Sequence, residues 1–192
     1  QMCIRDRNTI TVLLDKNRLQ DAERLISKYP GSSPDLVFQQ GALAFLKKDY
    51  SLAQKLFREA ARRASETTAK NALFNENLAA LNANDASGAA ALIKEAAGSS
   101  RLRESILFEQ AHYAAKRMAP QAAELLANFI TLAETPALKT QARLDQVEVA
   151  LNLNPPDLET VQAILPLLEK EQLSPEQTMQ LSLIHISEPT RH

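Results

Sequence analysis

The 192-residue chain has no tryptophan, one cysteine and four glycines, and its aromatic residues amount to 5%. So little glycine argues against a Gly-rich nucleotide-binding α/β fold. Neither a Gly-x-Ser-x-Gly elbow nor a phosphate loop occurs. The formal net charge of -1 provides no field to gather nucleic acid or acidic lipid. No apolar run approaches the roughly 18 residues that a membrane span needs. What is abundant is alanine, with 30 residues, and leucine, with 29. Both are strong helix formers and weak strand formers, so the expectation is an all-α protein rather than a sandwich or barrel. With 45% hydrophobic and 23% charged residues the chain is not disordered by composition. Its length suits one domain or one block of a repeat array.

The two ends break from the interior pattern. Residues 1–7 read QMCIRDR and residues 182–192 read SLIHISEPTRH. Both strings resemble translated sequencing-adaptor tails found in metagenomic reading frames, which implies that they are artefactual and stand outside fold reasoning. They hold Cys3, His185 and His192. The body, residues 8–181, then keeps one histidine and no cysteine, with 19 basic and 21 acidic residues and a net charge of -2. Lack of a leader is uninformative under this reading, and lack of cysteine suits any compartment.

Helical segments alternate with short breaks along the body. The strongest break is Pro30-Gly31-Ser32-Ser33-Pro34. Others fall at Lys48-Asp49, Asn84-Asp85, Gly98-Ser99-Ser100, Pro120, Thr135-Pro136, Asn154-Pro155-Pro156 and Ser174-Pro175. Ser33, Ser100, Thr135 and Ser174 are the expected N-caps, three of them followed by proline at the first helical position. About ten helices and the start of an eleventh result. Pro166 is expected to kink or split the helix around Val161–Lys170.

The helix pairs are copies of one another. Val37-Phe38, Gly41-Ala42, Ala44-Phe45, Ala53, Leu56-Phe57 and Ala60 are matched by Leu73-Phe74, Asn77-Leu78, Ala80-Leu81, Ala89, Leu92-Ile93 and Ala96. A third copy runs Leu107-Phe108, Ala111-His112, Ala114-Ala115, Ala123, Leu126-Ala127 and Ile130. Successive Phe positions are offset by 36 and 34 residues. Ala22 and Ile26 mark an earlier copy, and Leu144, Val149 and Val161 a later one lengthened at Asn154-Pro155-Pro156. A two-helix repeat of this period is the sequence sign of a solenoid. Each pair alone buries one side, and stacking buries the rest. The expected copies are about 8–33, 34–67, 68–100, 101–134 and 135–173, with another beginning at 174. A broken last copy would leave Val161, Ile164, Leu167 and Leu168 exposed.

Gly41-x-x-x-Phe45 followed by Ala53-x-x-x-Phe57-x-x-Ala60 resembles a tetratricopeptide repeat. The resemblance implies a right-handed superhelix of antiparallel helix pairs. Small residues such as Gly41 and Ala53 would let the two helices nest. It covers most of residues 8–170 and departs from the family pattern at Asn77 and Ala111, at Ala44 in place of the usual Tyr, and at Ser65 in place of the usual Pro. It implies partner binding rather than catalysis. The spacing Tyr29-Pro30 … Ser33-Pro34 resembles that of bacterial envelope tetratricopeptide proteins and implies periplasm or cell envelope over cytoplasm.

Candidate chemistry is sparse. His112, the one body histidine, has Glu109 and Lys116 at ordinary helix-surface spacing and reads as structural or groove-lining. One histidine without cysteine supplies no metal site, and no cofactor motif is present. Asp145/Glu148 and Glu169/Glu171 read as solvated faces, and Asp157 and Glu159 as helix-start charges. The basic residues Lys47, Lys48, Lys55, Arg58, Arg62, Arg63, Arg101, Arg103, Lys116 and Arg117 read as solvated faces interrupted by acids, not as a nucleic-acid stripe. By analogy with the family, Phe38, Phe74 and Phe108 face a concave groove, with Phe45, Leu78, Leu81, Asn82, His112 and Lys116 beside them. The competing reading makes the Phe column inter-repeat core. Lys and Asn, which clamp a peptide carboxyl terminus in some tetratricopeptide modules, are replaced here by Phe38, Ala42, Phe74 and Leu78. The expectation is therefore a non-enzymatic scaffold holding a peptide or helix of a protein partner, in bacterial envelope assembly or export. The alternative is a recruiting segment of a larger enzyme or secretion machine.

Overall fold

The computed structural model describes residues 4–29 and 33–187, with side chains described through residue 184. Among them are eleven α-helices and no strand. They are α1 (Ile4–Asp15), α2 (Leu19–Ile26), α3 (Pro34–Leu46), α4 (Tyr50–Arg63), α5 (Glu66–Asn82), α6 (Ala86–Glu95), α7 (Ser100–Lys116), α8 (Ala122–Leu132), α9 (Pro136–Leu151), α10 (Leu158–Leu168) and α11 (Pro175–Ser187). A 3₁₀ turn, Ala96–Gly98, follows α6. Cys3, Pro30, Gly31, Ser32 and His192 lie outside the described residues, as does the side chain of His185.

One turn geometry recurs along the chain. Asn17, Lys48, Asn84 and Met118 all have positive φ, at 55°, 64°, 57° and 49°. Each closes an odd-numbered helix in the same way. The N–H of the left-handed residue reaches back three residues, as Lys48 does to Phe45. The next N–H reaches back five, as Asp49 does to Ala44 and Ala119 to Ala114. This paired bonding satisfies the last free carbonyls of the helix. Asp49 and Asp85 then cap the following helices, accepting from Leu52 N at 3.1 Å and Gly88 N at 2.9 Å. After α9 the turn is longer. Asp157 N bonds back to Ala150 O, seven residues away, around Asn154-Pro155-Pro156, and Asp157 still caps through Thr160 N at 3.1 Å.

The chain forms two compact units, Gln1–Arg103 and Glu104–His192. In the first, α3 packs against α1, α2, α4 and α5, and α5 against α4 and α6. Ile10, Leu14, Ala22, Ile26, Leu36 and Leu43 make one core cluster. Ala44, Ala53, Phe57 and Ala79 make another. A Cβ on Gly41 would lie 2.9 Å from the Phe57 ring, so the small residue expected there is required by a ring laid on the α3 backbone. In the second unit, Phe108 and Ala111 of α7 join Leu126 and Phe129 of α8 and Ala142 and Val149 of α9. Leu144 and Val147 of α9 join Val161, Leu168 and Leu181 of α10 and α11. Contacts of α1 with α3, α3 with α5 and α9 with α11, each skipping one helix, are compatible with a helical repeat.

Several expectations are corrected. Ser100 is the first residue of α7 rather than its cap, and Ser99 Oγ accepts from Leu102 N at 3.4 Å. Thr135 makes no side-chain cap bond. Instead Glu104 takes the N–H groups of Glu134 and Thr135, both at 2.7 Å. Ser33 and Ser174 do cap, the latter in a reciprocal box with Gln177. Pro166 does not split α10, which runs through it to Leu168 with Ile164, Leu165 and Leu168 held against α9 and α11. Val161, Ile164 and Leu168 are buried rather than exposed; Leu167 alone of that set is open, at 44%. At the chain ends, Ile4–Arg7 continue α1, with Arg7 paired to Asp35 at 2.7 Å and Tyr29 bonded to Asp6, and α11 runs on past Leu181 with Ile184 buried.

Candidate functional site

In the second unit, α7, α9 and α11 present polar side chains that bond from one helix to the next. His112 Nδ1 of α7 lies 2.6 Å from Asp145 Oδ2 of α9. One turn on, Lys116 Nζ donates to Glu148 Oε2 at 3.0 Å and stands 3.9 Å from Asp145 Oδ1. Gln180 of α11 donates to Glu148 at 3.2 Å, and Gln141 of α9 donates to both Asp145 and Gln180. Gln177 donates to Gln141 at 3.3 Å. These partners lie 32 to 39 residues apart across helices, with i,i+4 support within α9 from Gln141 and Asp145. Residues three or four apart share one helix face, so each helix offers the next a row of polar side chains. Beside it a groove of about 520 Å³ is lined by Lys116, Glu148, Leu151, Met179 and Gln180.

Asp145 is the buried centre of this ladder. Its side chain is fully enclosed, whereas that of His112 is 30% exposed. The expectation of a solvated Asp145/Glu148 face is thus corrected for Asp145: α7 covers it. A buried carboxylate needs a cation or several donors, and His112, Gln141 and Lys116 meet that need. The bond to Asp145 raises the His112 pKa above its ordinary value, against the opposing effect of burial. Phe108 stacks on the imidazole, centroids 5.4 Å apart and planes 18° from parallel, and packs at 5.5 Å on Phe129. Burial also pushes the Glu109 carboxyl up.

The other sequence-predicted site residues lie as follows. Phe108 belongs to the core of its unit, while Phe38 and Phe74 are half-buried. The Phe38 ring meets Phe57 edge-on at 5.3 Å, and Phe45 meets Tyr50 in the same manner. Leu78, Leu81 and Asn82 share α5 with Phe74, and the Asn82 amide donates to Leu78 O at 2.8 Å within its own helix. So Phe108, His112 and Lys116 come together on α7, joined by Asp145, Glu148, Gln141, Gln177 and Gln180, which sequence reading missed. The signal was present: Asp145 and Glu148 follow His112 and Lys116 by 33 and 32 residues, close to the repeat offset.

A second buried acid sits in the first unit. Glu76 is fully buried and receives Arg58 Nε at 2.6 Å and Nη2 at 2.5 Å. Burial pushes this carboxyl up while the bond to Arg58 pulls against it. That bond raises the Arg58 pKa in turn. Arg58 is therefore not merely part of a solvated basic face. Among the described residues no group of three or more histidine, cysteine or acidic side chains is arranged to hold a metal ion, and no helix is long and apolar enough to cross a membrane. No family model matches the chain, and no curated protein or solved structure shows significant similarity to it.

Proposed function

We propose that the chain is a non-enzymatic scaffold of the tetratricopeptide kind, a right-handed α-solenoid that holds a peptide or helix of a partner protein along its odd-numbered helices. The observation that carries this reading is the ladder across α7, α9 and α11. Its members are fixed by bonds to one another around the enclosed Asp145, and Lys116 and Glu148 still reach the surface, with 46% and 44% of their side chains exposed. Pre-ordered donors and acceptors beside apolar Met179 and Leu151 suit a segment that brings its own backbone and a few apolar side chains. The recurrent left-handed turns support the repeat part of the reading. On the sequence resemblance alone, the setting is bacterial envelope assembly or export.

Panning phage-displayed random peptides against the full chain tests this. Enriched peptides should bind about tenfold more weakly to Lys116→Ala or Gln180→Ala, a loss of roughly 1.4 kcal/mol, with the circular dichroism unchanged. Absence of any enriched peptide, or peptides indifferent to both substitutions, would overturn it.

A further inference from the structure

We propose that the outward nitrogen of His112, Nε2, is a proton-gated contact for a bound segment: a hydrogen-bond donor to a backbone carbonyl or carboxylate in acid, and a bare acceptor in base. The inference rests on the scaffold reading and concerns how that site is regulated. It follows from the geometry around Asp145. Asp145 is enclosed and accepts from Gln141 Nε2 at 3.2 Å, with Lys116 Nζ at 3.9 Å, so it acts as an acceptor. With Asp145 ionised, the 2.6 Å contact with His112 is Nδ1–H donating to Oδ2, whether the ring is neutral or charged. A neutral imidazole with its proton on Nδ1 has none on Nε2. Protonation adds one there and reverses the role of the ring nitrogen that Asp145 leaves unbonded. Among the described residues no protein group bonds Nε2, and the side chain is 30% exposed.

The surroundings leave the proton on this atom to solvent or ligand. Asp145 acts on the ring from α9, and Lys116 and Glu109 act from α7 itself. From α8, apolar Leu126 and Phe129 stand behind Phe108, which backs the ring. Among the described side chains of α11 no charged group acts on it. A partner carbonyl docked on the ladder would therefore gain a charge-assisted bond below the His112 titration and meet a lone pair above it.

Two measurements on the full chain decide the matter. Imidazole ¹⁵N NMR should find the neutral ring protonated on Nδ1, and Asp145→Asn, which can itself donate to Nδ1, should shift the proton to Nε2. Peptides panned at about pH 5.5 should bind roughly tenfold more weakly at about pH 8.5, the value of one charge-assisted bond. His112→Gln, whose amide does not titrate, should remove that pH dependence, and Asp145→Asn should preserve binding at about pH 8.5. A neutral ring protonated on Nε2, or peptides that bind the ladder independently of pH, would overturn the gate and leave the scaffold reading standing. A library yielding no binder at either pH would overturn both.

Discussion

His112 and Asp145 lie 33 residues apart in sequence and 2.6 Å apart in space, and their bond joins α7 to α9. Because Asp145 is enclosed, the two sides of this bond are unequal. Removing the histidine strands a buried carboxylate, whereas removing the acid leaves a partly exposed imidazole that water can serve. His112→Ala should therefore cost about 3 kcal/mol and Asp145→Ala less, with the double variant recovering part of the loss. Denaturant unfolding of the four proteins in a double-mutant cycle measures this. Equal losses that simply add would show that Gln141 and Lys116 alone satisfy Asp145.

The same contacts give the second unit an unusual pH response. The folded pKa of His112 is raised, chiefly by the bond to Asp145. Its stabilising contribution is thus complete below the unfolded value of about 6.5 and is lost as pH rises through the folded value. Glu109 acts in the same direction, since burial raises its carboxyl and penalises the charged form at higher pH. Both groups make the folded unit take up protons. Hydrogen exchange in α7 and α9 should be slower at about pH 6 than at about pH 8 after correction for intrinsic exchange, and His112→Gln should flatten the difference. Protection that rises with pH would contradict the assignment.

Much of the fold is legible locally. The helix breaks at Lys48-Asp49 and Asn84-Asp85, the Phe offsets of 36 and 34, and the small residue at Gly41 all follow from one chain segment read against helical geometry. What is lost is whatever depends on the neighbouring repeat. Asp145 reads as a solvated acid until α7 covers it, and Arg58 reads as surface charge until Glu76 draws it in from α5. Thr135 looks like a cap until Glu104, 31 residues earlier, takes its N–H. Pro166 looks like a break because its missing N–H is a local fact, while the burial of Leu165 and Leu168 that holds α10 together is not. The candidate ladder belongs to this second class: each member is an ordinary polar residue, and only the approach of α7, α9 and α11 brings them together.

The left-handed turns make a prediction about stability. Lys48 and Met118 occupy conformations, φ 64° and 49°, that Asn17 and Asn84 fill in the sister turns. A side chain with a Cβ pays roughly 1 kcal/mol there, and asparagine less. Lys48→Gly and Met118→Gly should each raise stability by about 0.5–1 kcal/mol, partly offset by the greater freedom of glycine in the unfolded chain. Thermal unfolding reads this directly. Met118 is 42% exposed, so little packing is lost with it. A lower melting temperature for both variants would mean that the turn does not hold these residues in the left-handed region.

Gly41 tests how closely α3 and α4 are fitted. An added methyl would lie 2.9 Å from both Cδ1 and Cε1 of Phe57, and Phe57 is 1% exposed, with no free space toward solvent to retreat into. The ring also meets Phe38 at 5.3 Å, so its displacement would disturb a second aromatic. Gly41→Ala gains helix propensity of about 1 kcal/mol, but overpacking of a tight core costs about 1–3 kcal/mol. The net should be destabilising. Phe57→Leu removes the ring at a cost of its own, yet in that background Gly41→Ala should become neutral or stabilising, because the atoms it met are gone. Chemical denaturation of the two single variants and the double variant separates these effects. If Gly41→Ala stabilises the protein while Phe57 is intact, the ring has room to move, and close helix approach is not what selects glycine at this position.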